Sequence, residues 1–270
     1  MKNVYGKNVF ITGASSGIGR ACALMFAKEG CRVTGVSRSC REGTKHFPGG
    51  GSVTMKRMDV TDELSVRRVI REASDIDIAV LAAGMGVAGA VEELPADYAR
   101  EQMEVNYFGV LNVLQEILPG MRNKGRGLIV VIGSVAGKIS IPMQSHYSSS
   151  KYALEALVDA LRLELHSFGV KAVIVEPGDT KTGFTGSRKT FIRECSAYSD
   201  KVKSAVGKME KDEQSGASPK AVARVVLKMA GKASPPGRRA VGLSYRAILA
   251  LVKILPDTAR EKLVRMIYMK

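Results

Sequence analysis

The chain has 270 residues, of which 45% are apolar and 25% charged, and its formal net charge is +15. This length accommodates one α/β domain with a sizeable core, and the composition is ordinary for a soluble enzyme. No run reaches the roughly 18 apolar residues that a membrane span requires. The N-terminus shows no signal-peptide pattern, so we expect a cytoplasmic protein.

The four cysteines lack CxxC spacing and the three histidines are scattered, so we predict reduced thiols and no metal site. The basic excess belongs to the C-terminal third, where residues 181–270 hold 20 Lys and Arg against 7 Asp and Glu, a net of +13. Such a region suits an acidic partner, a membrane surface or an anionic substrate, or it is only a solvated face. No nucleic-acid recognition motif accompanies it, so we predict no nucleic-acid partner.

Strands and helices alternate along the chain. Strands are predicted at Asn8–Thr12, Arg32–Ser37, 52–59, 76–82, 127–133, Val170–Glu176 and 239–243. Helices are predicted at 18–29, 61–73, 98–121 and 145–168, the second beginning at an N-cap among Thr61, Asp62 and Glu63. Near-continuous apolar strands separated by helices imply an α/β Rossmann-type fold: a doubly wound parallel sheet of about seven strands with helices on both faces. No linker or repeat divides the chain, so we predict a single domain over residues 1–270.

A glycine-rich turn, TGASSGIG at 12–19, joins the first predicted strand to the first helix. Small residues at a helix N-terminus let backbone N–H groups approach a phosphate, and two serines add hydroxyl donors. The spacing is GxxxGxG and differs from the GxGxxG of ordinary dinucleotide folds. The turn predicts a pyrophosphate-binding site made by Gly13, Ser15, Ser16, Gly17, Ile18 and Gly19.

The end of the second predicted strand indicates which nucleotide is bound. An NAD site usually places an acidic residue there to bind the ribose hydroxyls, but this strand ends Val36-Ser37-Arg38 without a carboxylate. Arg38 can pair with a 2′-phosphate through its planar set of donors, and Ser37 can add a hydrogen bond. We therefore predict NADP(H) as the cofactor.

Tyr147 and Lys151 lie four residues apart in a predicted helix, so both side chains point to one face. A nearby ammonium favours phenolate and is expected to lower the tyrosine pKa, as acid–base catalysis requires. Ser134 follows the fifth predicted strand, where it can donate a hydrogen bond to a substrate oxygen. Asn106 lies in a predicted helix, although asparagine is an indifferent helix former, and a role in relaying protons to Lys151 would explain it.

These motifs resemble the short-chain dehydrogenase/reductase family, and within it the hydroxysteroid dehydrogenase-like subgroup, over nearly the whole chain. The matching elements, in the family's order and spacing, are TGASSGIG at 12–19, Asp59-Val60, Val105-Asn106, Gly133-Ser134, Tyr147-x-x-x-Lys151 and Pro177-Gly178. The resemblance implies an oxidoreductase that interconverts an alcohol and a ketone. In it, Tyr147 is the catalytic acid/base, Ser134 orients the substrate oxygen, Lys151 binds the nicotinamide ribose, and Asn106 holds a relay water.

The resemblance also implies further cofactor contacts: Asp59 and Val60 at the adenine, Ala83 and Gly84 through the backbone, and Pro177, Gly178, Thr180 and Thr182 around the nicotinamide. One motif departs from the family. The fourth strand usually ends in Asn-Asn-Ala-Gly, but here residues 81–84 read Leu-Ala-Ala-Gly. The side-chain hydrogen bonds of asparagine are absent there, which weakens the expected local stabilisation and leaves backbone contacts to the cofactor.

Substrate specificity is expected in residues 183–217, a segment that resembles the family's substrate-covering region, and in residues 135–144. The candidate substrate residues are Met85, Ser134, Ala136, Met143, Tyr147, Gly178 and Phe184. Their apolar character suits a hydrophobic ketone, with a hydroxysteroid as first choice and a 3-oxoacyl or acyl-dihydroxyacetone-phosphate lipid as the alternative. A binding protein that senses NADP(H) without turnover is the non-enzyme alternative, and the intact acid–base set argues against it.

Residues 244–270 predict two amphipathic basic helices separated by Pro256. We expect them to cap the pocket or pack on a partner subunit, in preference to resting on an anionic membrane. The family commonly forms homodimers or homotetramers through two long helices, which correspond here to 98–121 and 145–168, and the resemblance implies the same assembly.

Overall fold

The computed structural model describes residues 4–73 and 75–268. The first part of the chain forms, in order, β1 Asn8–Thr12, α1 Gly17–Lys28, β2 Arg32–Ser37, β3 Gly43–His46, β4 Ser52–Arg57, α2 Glu63–Ala73 and β5 Ile78–Leu81. The middle forms β6 Val87–Ala88, α3 Ala96–Met103, α4 Gly109–Lys124, β7 Gly127–Ile132, α5 Ser145–Glu164 and β8 Val170–Glu176. The last part forms α6 Phe184–Ser187, β9 Lys189–Thr190, α7 Ser199–Ser215, α8 Pro219–Ala230, β10 Arg238–Ala240, α9 Leu243–Ile254 and α10 Asp257–Tyr268.

The main sheet has eight strands in the order β10-β8-β7-β5-β1-β2-β4-β3. Neighbouring strands are parallel except β3, which pairs antiparallel with β4 at the edge. From β1 the chain first winds towards β4 and then returns to β5 on the other side. This reversal opens a crevice beyond the carboxyl ends of β1 and β5, where doubly wound sheets bind their ligands. The predicted doubly wound α/β fold is confirmed.

Helices cover both faces of the sheet because successive strand residues point to opposite sides. In β1, Phe10 packs in one apolar cluster with Leu114 of α4 and Leu154 of α5. Its neighbour Ile11 packs in the opposite cluster with Phe26 of α1 and with residues of α8. The central strands β5 and β7 are buried along their whole length, which explains why their sequences are unbroken apolar runs.

The structure differs from the predicted elements at several places. Strand β3 was not predicted, because its sequence GTKH is exposed throughout and has no apolar alternation. The predicted helix at 98–121 is interrupted by a π-helical turn over Glu104–Phe108. The predicted strand at 239–243 ends at Ala240, and Leu243 already begins α9. The predicted covering segment 183–217 contains the 17-residue helix α7.

Within residues 4–73 and 75–268, no helix combines the length and apolar character that crossing a bilayer requires.

Candidate active site

The glycine turn between β1 and α1 has the geometry of a phosphate cradle. Gly13 and Gly17 have φ angles of +67° and +51°, which favour glycine. A Cβ on Gly19 would lie 2.3 Å from the carbonyl oxygen of Gly13, so any larger residue would clash with the backbone of the turn. Ser16, the residue before α1, makes no side-chain capping hydrogen bond. The first N–H groups of α1 therefore remain available to a phosphate, and the turn fits a dinucleotide.

The end of β2 offers hydrogen-bond donors to the ribose end of such a ligand. The Ser37 hydroxyl is buried and has no hydrogen-bond partner, so a ligand that accepts from it would satisfy it. Arg38 is exposed and lies in the same cavity wall. Asp59, in the same cavity wall, accepts hydrogen bonds from the backbone N–H and hydroxyl of Thr61 at 3.0 and 2.8 Å, which fixes its carboxylate; its contact with the adenine remains a prediction.

A single cavity of about 520 Å³ connects the glycine turn to the proposed acid–base residues. All the predicted cofactor residues line it: Gly13, Ser15, Ser16, Gly17, Ile18, Gly19, Ser37, Arg38, Asp59, Val60, Ala83, Gly84, Tyr147, Lys151, Pro177, Gly178, Thr180 and Thr182. They come from loops that follow different strands, and the parallel sheet brings these loops to one edge. Their roles as cofactor contacts remain a prediction.

Tyr147 and Lys151 lie on the same side of α5, and the Lys151 Nζ is 5.7 Å from the centroid of the tyrosine ring. Lys151 is buried and donates a hydrogen bond to the carbonyl oxygen of Ile132 at 3.0 Å. Ser134 follows β7, and its hydroxyl accepts from the N–H of Ala136 at 3.1 Å. Ser134 is also near enough to the Tyr147 phenol to lower its pKa. The structure thus brings the predicted phenol, ammonium and hydroxyl together.

The pKa of Tyr147 departs from the sequence expectation. Burial raises it to about 12, and the hydrogen bond from Ser134 opposes that rise without cancelling it. Burial also lowers the pKa of Lys151 to about 8. The expected lowering of the tyrosine pKa by Lys151 is therefore wrong for this structure, because desolvation of the phenol dominates.

Asn106 lies behind the cavity wall, in the π-helical turn, and is completely buried. Its Oδ1 accepts from the N–H of Met85 at 2.8 Å, and its Nδ2 donates to the Ser150 hydroxyl at 3.0 Å. A Cβ on Gly84 would lie 3.3 Å from the asparagine Oδ1 and 4.0 Å from the Lys151 Nζ. Asn106 therefore anchors the chain after β5 beside Lys151, and its role in a water relay remains a prediction.

The Leu-Ala-Ala-Gly segment after β5 has a substitute for the missing asparagine. The Thr12 hydroxyl accepts hydrogen bonds from the backbone N–H groups of Ala82 and Ala83 at 2.9 and 3.0 Å. The expected loss of local stabilisation is compensated in part by this residue of β1.

The predicted substrate residues divide into two groups. Ser134, Ala136, Tyr147, Gly178 and Phe184 line the cavity, and the Phe184 and Tyr147 ring centroids are 5.7 Å apart. Met85 and Met143 do not line it. The side chain of Met85 packs on the core under α4. Met143 packs with a satellite cluster that contains Ala88 and Val202. Neither side chain lines this cavity, and their role as substrate contacts stays a prediction.

The C-terminal helices supply cavity residues that the sequence did not predict. The Tyr245 ring of α9 lies against Gly178, so that a Cβ there would be 2.1 Å from the ring. The Tyr245 phenol accepts from the N–H of Asp179 at 3.1 Å and donates to its carboxylate. Tyr268 of α10 lines the same cavity. Both helices therefore cap the pocket, which was one of the expected alternatives.

Two carboxylates make the reactive end of the cavity more polar than expected. Asp179 and Glu213 both line it. Glu213 pairs with the buried Arg188 and its charge raises the pKa of Tyr147. Among the described residues, no Lys, Arg or His forms a salt bridge with Asp179. Its carboxylate accepts a hydrogen bond from the neutral phenol of Tyr245. The sequence offered little evidence that these two residues belong to the site, because neither is part of a motif with a fixed spacing.

Comparison with known proteins gives three findings. The family model described as short chain dehydrogenase matches residues 7–192. A 3-ketodihydrosphingosine reductase of Bacteroides thetaiotaomicron is 37% identical over 96% of this chain and 97% of its own length. The crystal structure of a short-chain dehydrogenase from Streptomyces avermitilis superposes with a TM-score of 0.81, at 28% identity, over 98% of this chain and 97% of that one.

Proposed function

This chain belongs to the short-chain dehydrogenase/reductase family and is an oxidoreductase acting on CH–OH groups, and from that premise we propose that it reduces the ketone of a long-chain lipid with NADPH. The favoured substrate is a 3-keto sphingoid base, the class named for the Bacteroides relative. This substrate is nearer to the predicted alternative, a 3-oxoacyl or acyl-dihydroxyacetone-phosphate lipid, than to a hydroxysteroid, but it is a different lipid ketone. A hydroxysteroid, the first choice of the sequence analysis, stays a prediction.

The observation that carries the substrate proposal is the carboxylate of Asp179, which lines the same cavity as the proposed acid–base residues and forms no salt bridge among the described residues. A 3-keto sphingoid base has an amine on the carbon next to its ketone, and that amine is cationic at neutral pH. When the ketone contacts Tyr147 and Ser134, a neighbouring ammonium can pair with Asp179, which lines the same cavity; Glu213 is already paired with Arg188. A charge-assisted hydrogen bond between the ammonium and the Asp179 carboxylate would favour such a substrate. A neutral steroid offers no partner for the Asp179 carboxylate.

The choice of NADPH rests on the end of β2. Arg38 and the unpartnered hydroxyl of Ser37 lie in the cavity wall, and together they suit a 2′-phosphate. When bound, the cofactor supplies the hydride. The glycine turn would hold its pyrophosphate on the first N–H groups of α1.

The protein's contribution is the proton and the geometry. With a pKa of about 12, the Tyr147 phenol is protonated at neutral pH and can act as the acid in ketone reduction. Its proton passes to the carbonyl oxygen, which also accepts a hydrogen bond from Ser134. The ammonium of Lys151, 5.7 Å from the ring centroid, then stabilises the phenolate that is left.

The test compares purified enzyme on four ketones: a 3-keto sphingoid base, its N-acetyl derivative, a 3-oxoacyl thioester and a 3-ketosteroid. NADPH oxidation is followed by absorbance. We expect the free amine to have the highest kcat/KM and its N-acetylation to lower kcat/KM by about tenfold or more, because one charge-assisted interaction is worth roughly 1.5–3 kcal/mol. Equal rates for both, or a preference for the steroid, would refute the substrate assignment.

Tyr147→Phe tests the proposed proton transfer, because it removes only the hydroxyl and keeps the ring that packs on Phe184. We expect kcat to fall by about 100-fold or more, the typical contribution of a positioned acid, while NADPH binding measured by fluorescence stays within about twofold. Unchanged turnover would remove Tyr147 from the mechanism.

We also propose that the protein forms a homodimer or homotetramer through α4 and α5. Phe108 precedes α4, and Tyr152 and Leu163 belong to α5, and all three expose large apolar side chains that such a contact would cover. Light scattering after size exclusion measures the assembly directly.

A further inference from the structure

Helix α9 has its apolar side turned outward. At 100° per residue, Leu243, Ala247, Leu251 and Ile254 share one side of the helix, and all four are exposed. Leu243 and Ile254 are 80% and 78% exposed. An ordinary surface helix places its polar residues there, so this side has the character of a contact surface.

The inward side of α9 is already committed. It carries Tyr245, packed on Gly178, and Val252, which is buried. Of its two basic residues, Arg246 is half-buried and donates to the carbonyl oxygen of Ala240 at 3.3 Å. The helix therefore cannot rotate its leucines into the core without breaking the cavity wall.

Helix α10 repeats the arrangement and adds charge. Val264 and Tyr268 are half-buried, whereas Leu263, Met266 and Ile267 are exposed. Beside these apolar residues lie Lys262 and Arg265, both exposed. We call the outward apolar residues of the two helices the C-terminal apolar surface; they are Leu243, Ala247, Ile248, Leu251, Ile254, Leu263, Met266 and Ile267.

We infer that the C-terminal apolar surface docks on an anionic lipid bilayer. Three observations select a bilayer over other partners: exposed large apolar side chains cluster here, basic residues flank them, and residues 181–270 carry a net charge of +13. Apolar insertion combined with attraction between Lys or Arg and anionic headgroups is how interfacial helices bind membranes. A second copy of this chain would bring the same positive charge against itself, which opposes that occupant.

Docking would place the α9 and α10 wall of the cavity next to the lipid surface, because the inward tyrosines of both helices line the cavity. A lipid ketone could then enter without crossing water. This route of entry rests on the proposed function, whereas binding to the bilayer does not.

The experiment measures co-sedimentation of the full chain with phosphatidylcholine vesicles, with and without 30% phosphatidylglycerol, at about physiological salt. The test variant is Leu243→Ser/Ile254→Ser. The matched control is Leu64→Ser/Val91→Ser, which removes two apolar side chains of similar exposure, 74% and 64%, elsewhere on the surface. Circular dichroism and turnover of a short water-soluble ketone verify that both variants are folded and active.

We expect the wild type and the control to bind the phosphatidylglycerol vesicles, and the test variant to bind them about tenfold more weakly or worse. Binding to neither vesicle, equal binding to both, or equal binding of test variant and control would overturn the inference. The inference would also be overturned if the test variant had a lower molar mass in solution than the wild type and still bound the vesicles. That result would show that the surface contacts a second copy of the chain. Failure of the sphingoid-base assay with intact vesicle binding would refute only the proposed substrate.

Discussion

A buried pair of carboxyl groups beside the active site determines one pH dependence of the fold. Glu155 of α5 and Glu176 at the end of β8 are each 3% exposed, and the Oε1 atom of each is buried without a donor. The other oxygen of Glu155 pairs with Lys138 and Arg238 at 2.9 and 2.8 Å. A proton shared between the two carboxyl groups would satisfy both unpartnered oxygens with one hydrogen bond.

Burial and then the negative charge of Glu155 raise the pKa of Glu176 to about 7. An unfolded glutamate has a pKa of about 4.3, so the folded state binds this proton more tightly than the unfolded state does. The resulting stability is complete below the unfolded pKa and is lost as the pH rises through 7. Between pH 5 and pH 8 the loss is on the order of 2–3 kcal/mol in the free energy of unfolding.

Glu176→Gln tests this pair, because the glutamine amide donates the same hydrogen bond to Glu155 but does not titrate. Urea unfolding followed by circular dichroism at pH 5, 6.5 and 8 gives the free energies. We expect the wild type to lose on the order of 2–3 kcal/mol more than the variant across this range. Glu72→Gln, at a carboxylate on the surface, is the control and should follow the wild type to within about 0.5 kcal/mol. Parallel pH profiles for wild type and Glu176→Gln would refute the shared proton.

Two further changes examine the two ends of the cavity. In Gly178→Ala the new Cβ would lie 2.1 Å from the Tyr245 ring, so α9 must shift. Thermal melts should show a loss of about 1–3 kcal/mol in the free energy of unfolding. An unaltered melting temperature would contradict this packing. Arg38→Asp should reverse the ratio of kcat/KM for NADPH to that for NADH, since it replaces a phosphate-binding charge with a ribose-binding one. If that ratio does not change, Arg38 does not bind the 2′-phosphate.

The parts of the site that the sequence predicted are those that local rules determine. Tyr147 and Lys151 share a side of α5 because they are four residues apart in a helix, and no tertiary information is needed to see it. The glycine turn is fixed by its position between β1 and α1. Ser134, Gly178 and these two elements then meet because parallel strands present their carboxyl ends at one edge.

Contacts between distant segments were not predictable in this way. Tyr245 meets Asp179 across 66 residues, and no periodicity in either segment indicates the other. Thr12 replaces the missing asparagine only because β1 and β5 are neighbours in the sheet. The predicted direction of the Tyr147 pKa shift was wrong for a related reason. The sequence shows the adjacent ammonium but does not show the burial, which raises the pKa.

The boundary of the family match leaves the acid–base residues on one side and part of the cavity wall on the other. Residues 7–192 match the family model, and they contain the glycine turn, Ser134, Tyr147 and Lys151. The cavity residues Glu213, Tyr245 and Tyr268 lie beyond that boundary, as does the C-terminal apolar surface. Because one side of α9 and α10 closes the cavity and the other side is exposed and apolar, a change in what the outer side binds can alter the wall that the substrate meets. In the proposed function, selection of the lipid and access to it would therefore be coupled through these two helices, while the proposed hydride and proton transfer involves residues before them.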